Sequence, residues 1–486
     1  MNLTPTTITF GGYILFLIGI GLWYSRQSSH SIADYILGGR QMGPAVTALS
    51  ACASDMSSYL VMAIPGMAYL YNPNCFWMAC GLIIGTWFNW KFVAKRLRVF
   101  TQHAQNSLTI PEFLEQRFHD DQGILRLMSA ATILLFFTIY VSSGMQAGAI
   151  VFENVFGISY TSALLIGTSV IVLYTFLGGF LAVSWTDFFQ GMLILCALIL
   201  VPLIIYRTTP DSNALITSIS TEFDLTDVGL LSILSAFGWG IGYMGQPHIL
   251  SRFMAIKRPQ DLPLSGRIAI IWNVFALSGA ILTGLGGAAY FIDAPMNNHE
   301  YVFIALSQTL FDPWIGGLLL AAILSAIMST VDSQLLVCSS VVTEDFYKKW
   351  WRPHASEREL MWMGRFGIVL IAALATWSAY EKNETILSLV SYAWAGFGAA
   401  LGSVVLLSLF YAQYTRNGAV ASMLVGAITV IAWQQGQGGW FELYSIIPGF
   451  IAAIGAGILV SRIQSHQLKT VTQVQFQQFL EQLKQV

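Results

Sequence analysis

The residues best suited to ion chemistry lie in Ala48-Leu49-Ser50-Ala51-Cys52-Ala53-Ser54-Asp55-Met56-Ser57-Ser58, inside an apolar segment covering about residues 43 to 71. A charge at bilayer depth costs about 2.5–3.5 kcal/mol on insertion scales. A segment that carries one turns it toward the protein interior or a water-filled path. Small residues let a helix pack closely or unwind, and unwound carbonyls bind cations. The stretch reads as half of a cation site.

A second half is offered by Ala326, Ser329, Thr330 and Ser333, which follow the i, i+3, i+4, i+7 spacing of one helical face. Hydroxyl and carbonyl oxygens suit a hard cation such as sodium. The same hydroxyls would equally serve helix packing or bond back to the i−4 carbonyl; beside the Asp55 stretch, the cation reading is preferred. Asp55, Asp187 and Asp332 are the acidic residues at or near membrane depth. Asp187 follows an uncharged turn, 177–186. In Phe237-Gly238-Trp239-Gly240-Ile241-Gly242-Tyr243-Met244-Gly245-Gln246-Pro247, glycines and a proline argue against a continuous helix. Trp239, Tyr243 and Pro247, spaced by four, would line one face of a small pocket, or belong to a tightly packed kinked helix. Arg40 reads either as a positive anchor or as a charge gating the inner mouth.

The elements that must position these residues follow from composition. Of the 486 residues, 55 % are hydrophobic and 10 % charged, against about 25 % charged in soluble proteins. This is an all-α polytopic membrane protein, in contact with a lipid bilayer and without a separate soluble domain. The net charge of −2 gives no reason to expect a nucleic-acid partner. Cys52, Cys75, Cys80, Cys196 and Cys338 read as buried free thiols. Apolar runs predict about thirteen transmembrane helices. With the N-terminus outside and the C-terminus cytoplasmic, all of the 23 Lys and Arg except Arg207 and Lys382 fall on the inner side. The second and seventh spans are both interrupted and stand five spans apart, which points to an inverted five-plus-five helix repeat. The expected organisation is residues 1–42, first helix and cytoplasmic loop; 43–207 and 208–411, the two repeats; 412–461, two further helices; and 462–486, a cytoplasmic tail. In that tail Phe476, Phe479, Leu480, Leu483 and Val486 share one helical face, as in a short helix lying on the membrane or on the protein body. No Walker A, nucleophile-elbow, HExxH or TVGYG pattern occurs, so an ATP-driven pump, a hydrolase or any other enzyme, and a potassium-type channel, have no support.

Over nearly all thirteen spans the sequence resembles the sodium:solute symporter family, and within it the bacterial sodium/proline symporters. The resemblance is carried by Ser54-Asp55-Met56-Ser57, Ser184-Trp185-Thr186-Asp187, Gly242-Tyr243-Met244-Gly245-Gln246-Pro247-His248-Ile249-Leu250, Met328-Ser329-Thr330 and Gln334-Leu335-Leu336-Val337-Cys338-Ser339-Ser340. It implies a LeuT-like fold and sodium-driven uptake of L-proline by alternating access across the bacterial cytoplasmic (inner) membrane. Na+ would be co-transported and no organic cofactor needed; the oligomeric state is open. Backbone carbonyls of Ala53, Met56 and Ala326 and hydroxyls of Ser329 and Thr330 would hold sodium, with Asp55 in support. Ser57, Tyr140, Trp239, Tyr243 and Pro247 would form the proline pocket. Asp187 and Arg40 resemble coupling and gating positions. Ser58 and Tyr59 stand where proline transporters often carry Gly and Trp, which leaves room for another carboxylate, a sugar or a vitamin as substrate, or for a transporter-like sensor. Asp332 replaces a small hydroxyl residue, and Asp187, Asp332 and Ser333 are expected to form a second cation or proton site.

Overall fold

The computed structural model describes residues 4–25, 31–208, 222–225, 228–381, 385–464 and 471–485; Lys382 and Val486 lie outside them. An apolar chain in hydrocarbon must satisfy its backbone within each segment. Accordingly, the regular elements among the described residues are helices, and the only extended pairing is an isolated bridge between Met42 and Ile256. Nine helices among the described residues are long and apolar enough to cross a membrane.

Burial separates centre from periphery. In the most apolar stretch of Pro313–Trp351, 83 % of residues are buried, against 17 % in Pro5–Tyr24. The first therefore runs through the middle of the molecule and the second along its lipid-facing edge. Two shorter apolar helices, Tyr59–Tyr69 and Leu230–Gly245, belong to interrupted elements that pass through the same centre. The first follows Pro44–Asp55 after a break at Met56–Ser58; the second is followed, after Gln246, by Pro247–Ala255.

Two expectations are corrected. Residues 177–186 are not a loop: helix runs from Tyr160 to Thr208, interrupted at Gly179 alone (φ 67°, ψ −176°). Only glycine adopts that conformation without strain, so one residue does what a ten-residue turn was expected to do, and Asp187 lies on helix. Of the five cysteines, Cys52, Cys75 and Cys338 are buried, but Cys80 is half-buried and Cys196 is exposed on the outer face of helix Tyr160–Thr208. Apolar residues turned toward lipid look the same in sequence as residues turned toward the core.

One end of the molecule is knitted by charge. Helix Asn74–Phe88 continues through Asn89–Ala94 into Lys95–His103. Arg98 reaches back from it, its Nε donating to the Ile256 carbonyl at 2.9 Å. A short helix, Ile110–Phe118, starts with Thr109 as cap, whose hydroxyl accepts from the Glu112 amide. Arg126 joins Glu115 (2.7 Å) to Asp345 (2.6 Å), and Thr109 donates to Asp345 at 3.0 Å. The tail helix Val471–Gln485 lies on the protein body: Phe479 stacks on Phe100 with centroids 4.2 Å apart, and the Arg117 guanidinium lies 5.1 Å from the Phe476 ring. Burial lowers the Arg117 pKa to about 9, which leaves it a cation at neutral pH.

Helix Asn74–Phe88 meets the second broken helix without a side chain between them. A Cβ on Gly85 would lie 2.3 Å from the Gly240 carbonyl oxygen. Gly85→Val is expected to cost about 1–3 kcal/mol through overpacking and to lower the thermal unfolding midpoint in detergent. Gly11→Val, where an added Cβ meets nothing within 4 Å, should leave that midpoint unchanged.

Candidate ion and substrate site

The first break exposes carbonyls. The Met56 amide makes the last helical bond, to Cys52 O (2.9 Å), and Met56 then leaves helical geometry (φ −80°, ψ 79°). The Ser57 amide turns to Asp55 O (3.0 Å) instead of Ala53 O. The Ala53 carbonyl, deprived of its helical donor, receives the Ser329 hydroxyl at 2.7 Å. Ser329 Oγ also lies 2.8 Å from Ser325 O and 3.3 Å from Ala326 O, and Thr330 Oγ1 lies 3.2 Å from Ala326 O. One hydroxyl proton cannot serve three carbonyls at once. Ala53, Ala326, Ser329 and Thr330 are thus brought together as buried neutral oxygens with spare acceptor capacity, the donor set a hard monovalent cation uses. Met56 is buried at the same break, where its Sδ accepts from the Tyr59 hydroxyl (3.0 Å).

Asp55 looks the other way, toward the second break. Its Oδ2 accepts the Tyr243 hydroxyl at 2.6 Å, and its Oδ1 has no hydrogen-bond partner. Ser57 Oγ lies 3.4 Å from the Tyr140 hydroxyl. Tyr243 belongs to Trp239–Gly245, wound as a 3₁₀ helix. With three residues per turn, positions four apart do not share a face, so the expected row of Trp239, Tyr243 and Pro247 is not formed. Trp239 lines a cavity of about 480 Å³ with Tyr444, whose ring stacks on it at 5.4 Å. Pro247 instead borders a void of about 20 Å³ near Leu108 and Val341. A further cavity of about 580 Å³, beside Gln146 and Tyr301, shares Met67, Thr385 and Leu387 with the first. The molecule is open at one end of the broken helices and closed at the other.

The third group is ionic. Arg252 is fully buried; its Nη2 donates to Asp187 Oδ2 (3.0 Å) and Ser333 Oγ (2.5 Å), and its Nε donates to Ser50 Oγ (3.1 Å). Ser50 donates in turn to Asp187 Oδ2 at 2.7 Å, and Ser333 Oγ lies 3.3 Å from Asp332 Oδ1. Arg252 thus links Asp187 to Ser333, which lies beside Asp332, and the cation among them in this structure is a guanidinium. Sequence reasoning missed Arg252 by counting it among the inner-side charges. Its position five residues after Pro247, in an apolar run, carried the same signal that marked Asp55. Trp394 and Asn89 were missed too; neither has a sequence signature.

Arg40 is half-buried at the closed end. Its Nη1 donates to Met254 O (3.0 Å) and its Nη2 to Ser107 O (2.9 Å), tying the chain before the first broken helix to the end of the second. Burial, with Arg98 nearby, lowers its pKa to about 10, so it stays charged at neutral pH.

Two helices broken at their middles around buried oxygens, bordered by cavities of about 480 and 580 Å³ at one end and by a void of about 20 Å³ at the other, define a secondary transporter. The profile of the Sodium:solute symporter family matches residues 35–426, and the chain belongs to that family. It is 50 % identical over 459 residues to the sodium/proline symporter of Escherichia coli (strain K12), covering 92 % of this chain and 91 % of that one. It is 46 % identical over 478 residues to the high-affinity proline transporter PutP of Bacillus subtilis (strain 168), covering 97 % and 100 %. In fold it is similar to a Na+-coupled sialic acid symporter solved in a substrate-bound outward-open state (TM-score 0.78, 19 % identity, 95 % and 98 % covered). It is also similar to Mhp1, a nucleobase-cation-symport-1 family transporter in a closed conformation (TM-score 0.59, 13 % identity, 93 % and 99 % covered).

Removing one member of a buried ion pair leaves the other uncompensated, at about 3–5 kcal/mol. Arg252→Met is expected to destabilise the purified protein by that order, and Arg252→Met with Asp187→Leu to regain much of the loss. Thermal unfolding of the two variants checks this.

Proposed function

We propose that this chain is a sodium-coupled carrier of L-proline, working by alternating access in the bacterial cytoplasmic membrane. What carries the reading is the 50 % identity, over 92 % of the chain, to a protein named as a sodium/proline symporter. Sodium binds at the carbonyls of Ala53, Met56 and Ala326 and the hydroxyls of Ser329 and Thr330, with Asp55 beside it. L-proline binds against Ser57, Tyr140, Trp239 and Tyr243, and meets Pro247 on its way inward. The relatives are transporters, so the reading includes no chemical step and no organic cofactor.

The fold has thirteen crossings in this reading. At 1.5 Å per residue, helix Tyr160–Thr208 would be about 73 Å long if straight, over twice the hydrocarbon thickness. It therefore counts as two crossings that meet at Gly179. The two broken helices and the helix that begins at Asn74 supply the others beyond the long apolar helices. Residues 43–207 and 208–411 are the inverted repeats, preceded by 1–42 and followed by two helices in 412–461 and the tail 462–486. The distribution of basic residues supports reading the closed end, with Arg40 as its gate, as the cytoplasmic one, with the N-terminus outside and the C-terminus inside.

Sodium bound across the first break steadies it, and the pocket against the second break orders around the substrate. The occupied protein then rocks to open inward. The membrane potential contributes about 2.3 kcal/mol per charge per 100 mV, and sodium raises substrate affinity only through its preference for the binding-competent state. Asp187, Asp332 and Ser333 form a second ionic group that binds a cation or proton during the cycle. Ser58 and Tyr59, the latter 6.0 Å from Trp239 between ring centroids, favour keeping other small solutes in the substrate test.

Radiolabelled L-proline uptake into proteoliposomes should require an inward sodium gradient and be lost in Asp55→Asn. Absence of uptake by folded protein under any ion gradient, or competition by another solute instead, overturns the substrate. Asp332→Asn should change the number of ions moved per proline; unchanged stoichiometry and sodium affinity would remove the second site.

A further inference from the structure

We infer that Tyr444 is a specificity-determining residue: its ring sets the width of the space in front of Trp239 and so limits which cyclic solutes the carrier accepts. The inference rests on the functional reading above, in which Trp239 meets L-proline, and adds to it a residue from outside 43–411. Tyr444 stands just ahead of helix Ile446–Gln464, at the end of the loop that follows helix Arg416–Trp433. That loop is pinned from two sides. Trp433 Nε1 donates to Leu443 O at 2.9 Å, and the Tyr444 amide donates to Ser235 Oγ at 3.0 Å. Ser235 belongs to helix Leu230–Gly238, which leads directly into Trp239. The approach is close: a Cβ on Gly238 would lie 2.9 Å from Ile447 Cδ1, so a side chain at 238 would push helix Ile446–Gln464 off the second broken helix.

The ring itself is held at both ends. Its hydroxyl donates to Ser391 O, on helix Ile386–Gly396, at 2.7 Å. Its face lies on Trp239, with centroids 5.4 Å apart and planes 25° from parallel, an offset stack of the kind aromatic pairs prefer. Trp239 is fixed in turn. The Trp394 indole donates to Trp239 O at 2.8 Å, and Asn89 Nδ2 donates to Tyr243 O, one turn further on, at 3.0 Å. The rings of Tyr59 and Trp394 lie 6.0 and 6.1 Å from that of Trp239. Tyr59 and Trp394 are fully buried, whereas Trp239 and Tyr444 line the cavity of about 480 Å³. Of these four rings, two therefore form the boundary between cavity and core. A solute that reaches the Trp239 indole from the cavity meets Tyr444 beside it, and that neighbour is tied by its backbone to one helix and by its hydroxyl to another.

A wall that cannot yield discriminates by size. One methylene in an apolar pocket is worth about 10–200-fold in selectivity. L-pipecolate, the six-membered homologue of L-proline, carries the same ammonium and carboxylate and one methylene more. Comparing the two solutes isolates the wall from the groups that hold the charges. A Tyr444 that served only to fasten the loop would, when replaced, weaken the handling of both solutes alike and leave their ratio as it was.

The test uses the full chain in proteoliposomes at saturating sodium. Inhibition of radiolabelled L-proline uptake by unlabelled L-proline and by unlabelled L-pipecolate is measured for the wild type, Tyr444→Phe and Tyr444→Leu. In the wild type pipecolate should be the weaker inhibitor by about tenfold or more. In Tyr444→Leu, which removes the flat ring, that ratio should fall below about threefold. Tyr444→Phe, which loses the bond to Ser391 and keeps the stacked ring, should hold the ratio within about twofold of the wild type. A wild-type ratio in Tyr444→Leu overturns the inference, whatever its rate of uptake. So does a ratio that collapses equally in Tyr444→Phe, because the hydroxyl bond and not the ring is then responsible. A wild type that accepts pipecolate as readily as proline overturns it as well. Should Tyr444→Leu fail to fold, Tyr444→Trp replaces it: the larger ring should raise the ratio, and an unchanged ratio overturns the inference. A folded wild type that takes up no proline overturns the functional reading instead, and the inference falls with it.

Discussion

A helix interrupted inside a membrane leaves carbonyls without amides, and hydrocarbon offers nothing to replace them. The structure depends on meeting that debt from side chains of neighbouring helices. Ser329 serves Ala53 O at the first break; Trp394 and Asn89 serve Trp239 O and Tyr243 O at the second. Each donor comes from a different helix, so the breaks are permitted only where helices 44–69 and 230–255 are surrounded. This is why Pro313–Trp351 and Ile386–Phe410 have 83 % and 89 % of their most apolar stretches buried while Pro5–Tyr24, at the periphery, has 17 %. The central helices pack closely because they complete one another's backbones.

The same constraint separates two kinds of polar group in the interior. Around Ala53 and Ala326 the oxygens are neutral and share too few protons, which suits an ion that comes and goes. Around Asp187 the carboxylate is matched by Arg252, Ser50 and Ser333, so charge is balanced within the chain. The first group has acceptor capacity to give; in the second, Arg252 answers Asp187 while Asp332 Oδ2 has no hydrogen-bond partner. The two share the first broken helix and helix Pro313–Ser340, and Ser50 and Ala53 are one helical turn apart on the first of them.

Much of this was legible in the sequence, for physical reasons that also mark the limit. Asp55 and the glycine-rich run from Gly238 to Gly245 violate the rules for a membrane helix, and violations are visible without coordinates. The face of Ala326, Ser329 and Thr330 follows from helical period alone, and both Ser329 and Thr330 reach Ala326 O. The spacing of Trp239, Tyr243 and Pro247 misled, because it assumed 3.6 residues per turn where the backbone has three. Gly178-Gly179 read as part of a loop because nothing local says that one positive φ is enough to redirect a helix. Trp394 and Asn89 were illegible in principle: their importance lies in which carbonyl they meet, some 150 residues away in the chain.

The unequal cavities have a consequence of another kind. Beside the broken helices, about 580 and 480 Å³ stand open at one end and about 20 Å³ at the other, where a separate cavity of about 290 Å³ lies against the tail helix. At about 30 Å³ per water molecule, the open end has room for on the order of thirty waters. Under alternating access, closing that end returns them to bulk solvent on one side of the membrane. The equilibrium between the two forms then depends on water activity: solutes too large to enter the cavities favour the form that holds less water. Osmotic stress acts on such a carrier as a load in its own right, alongside voltage and the ion gradient.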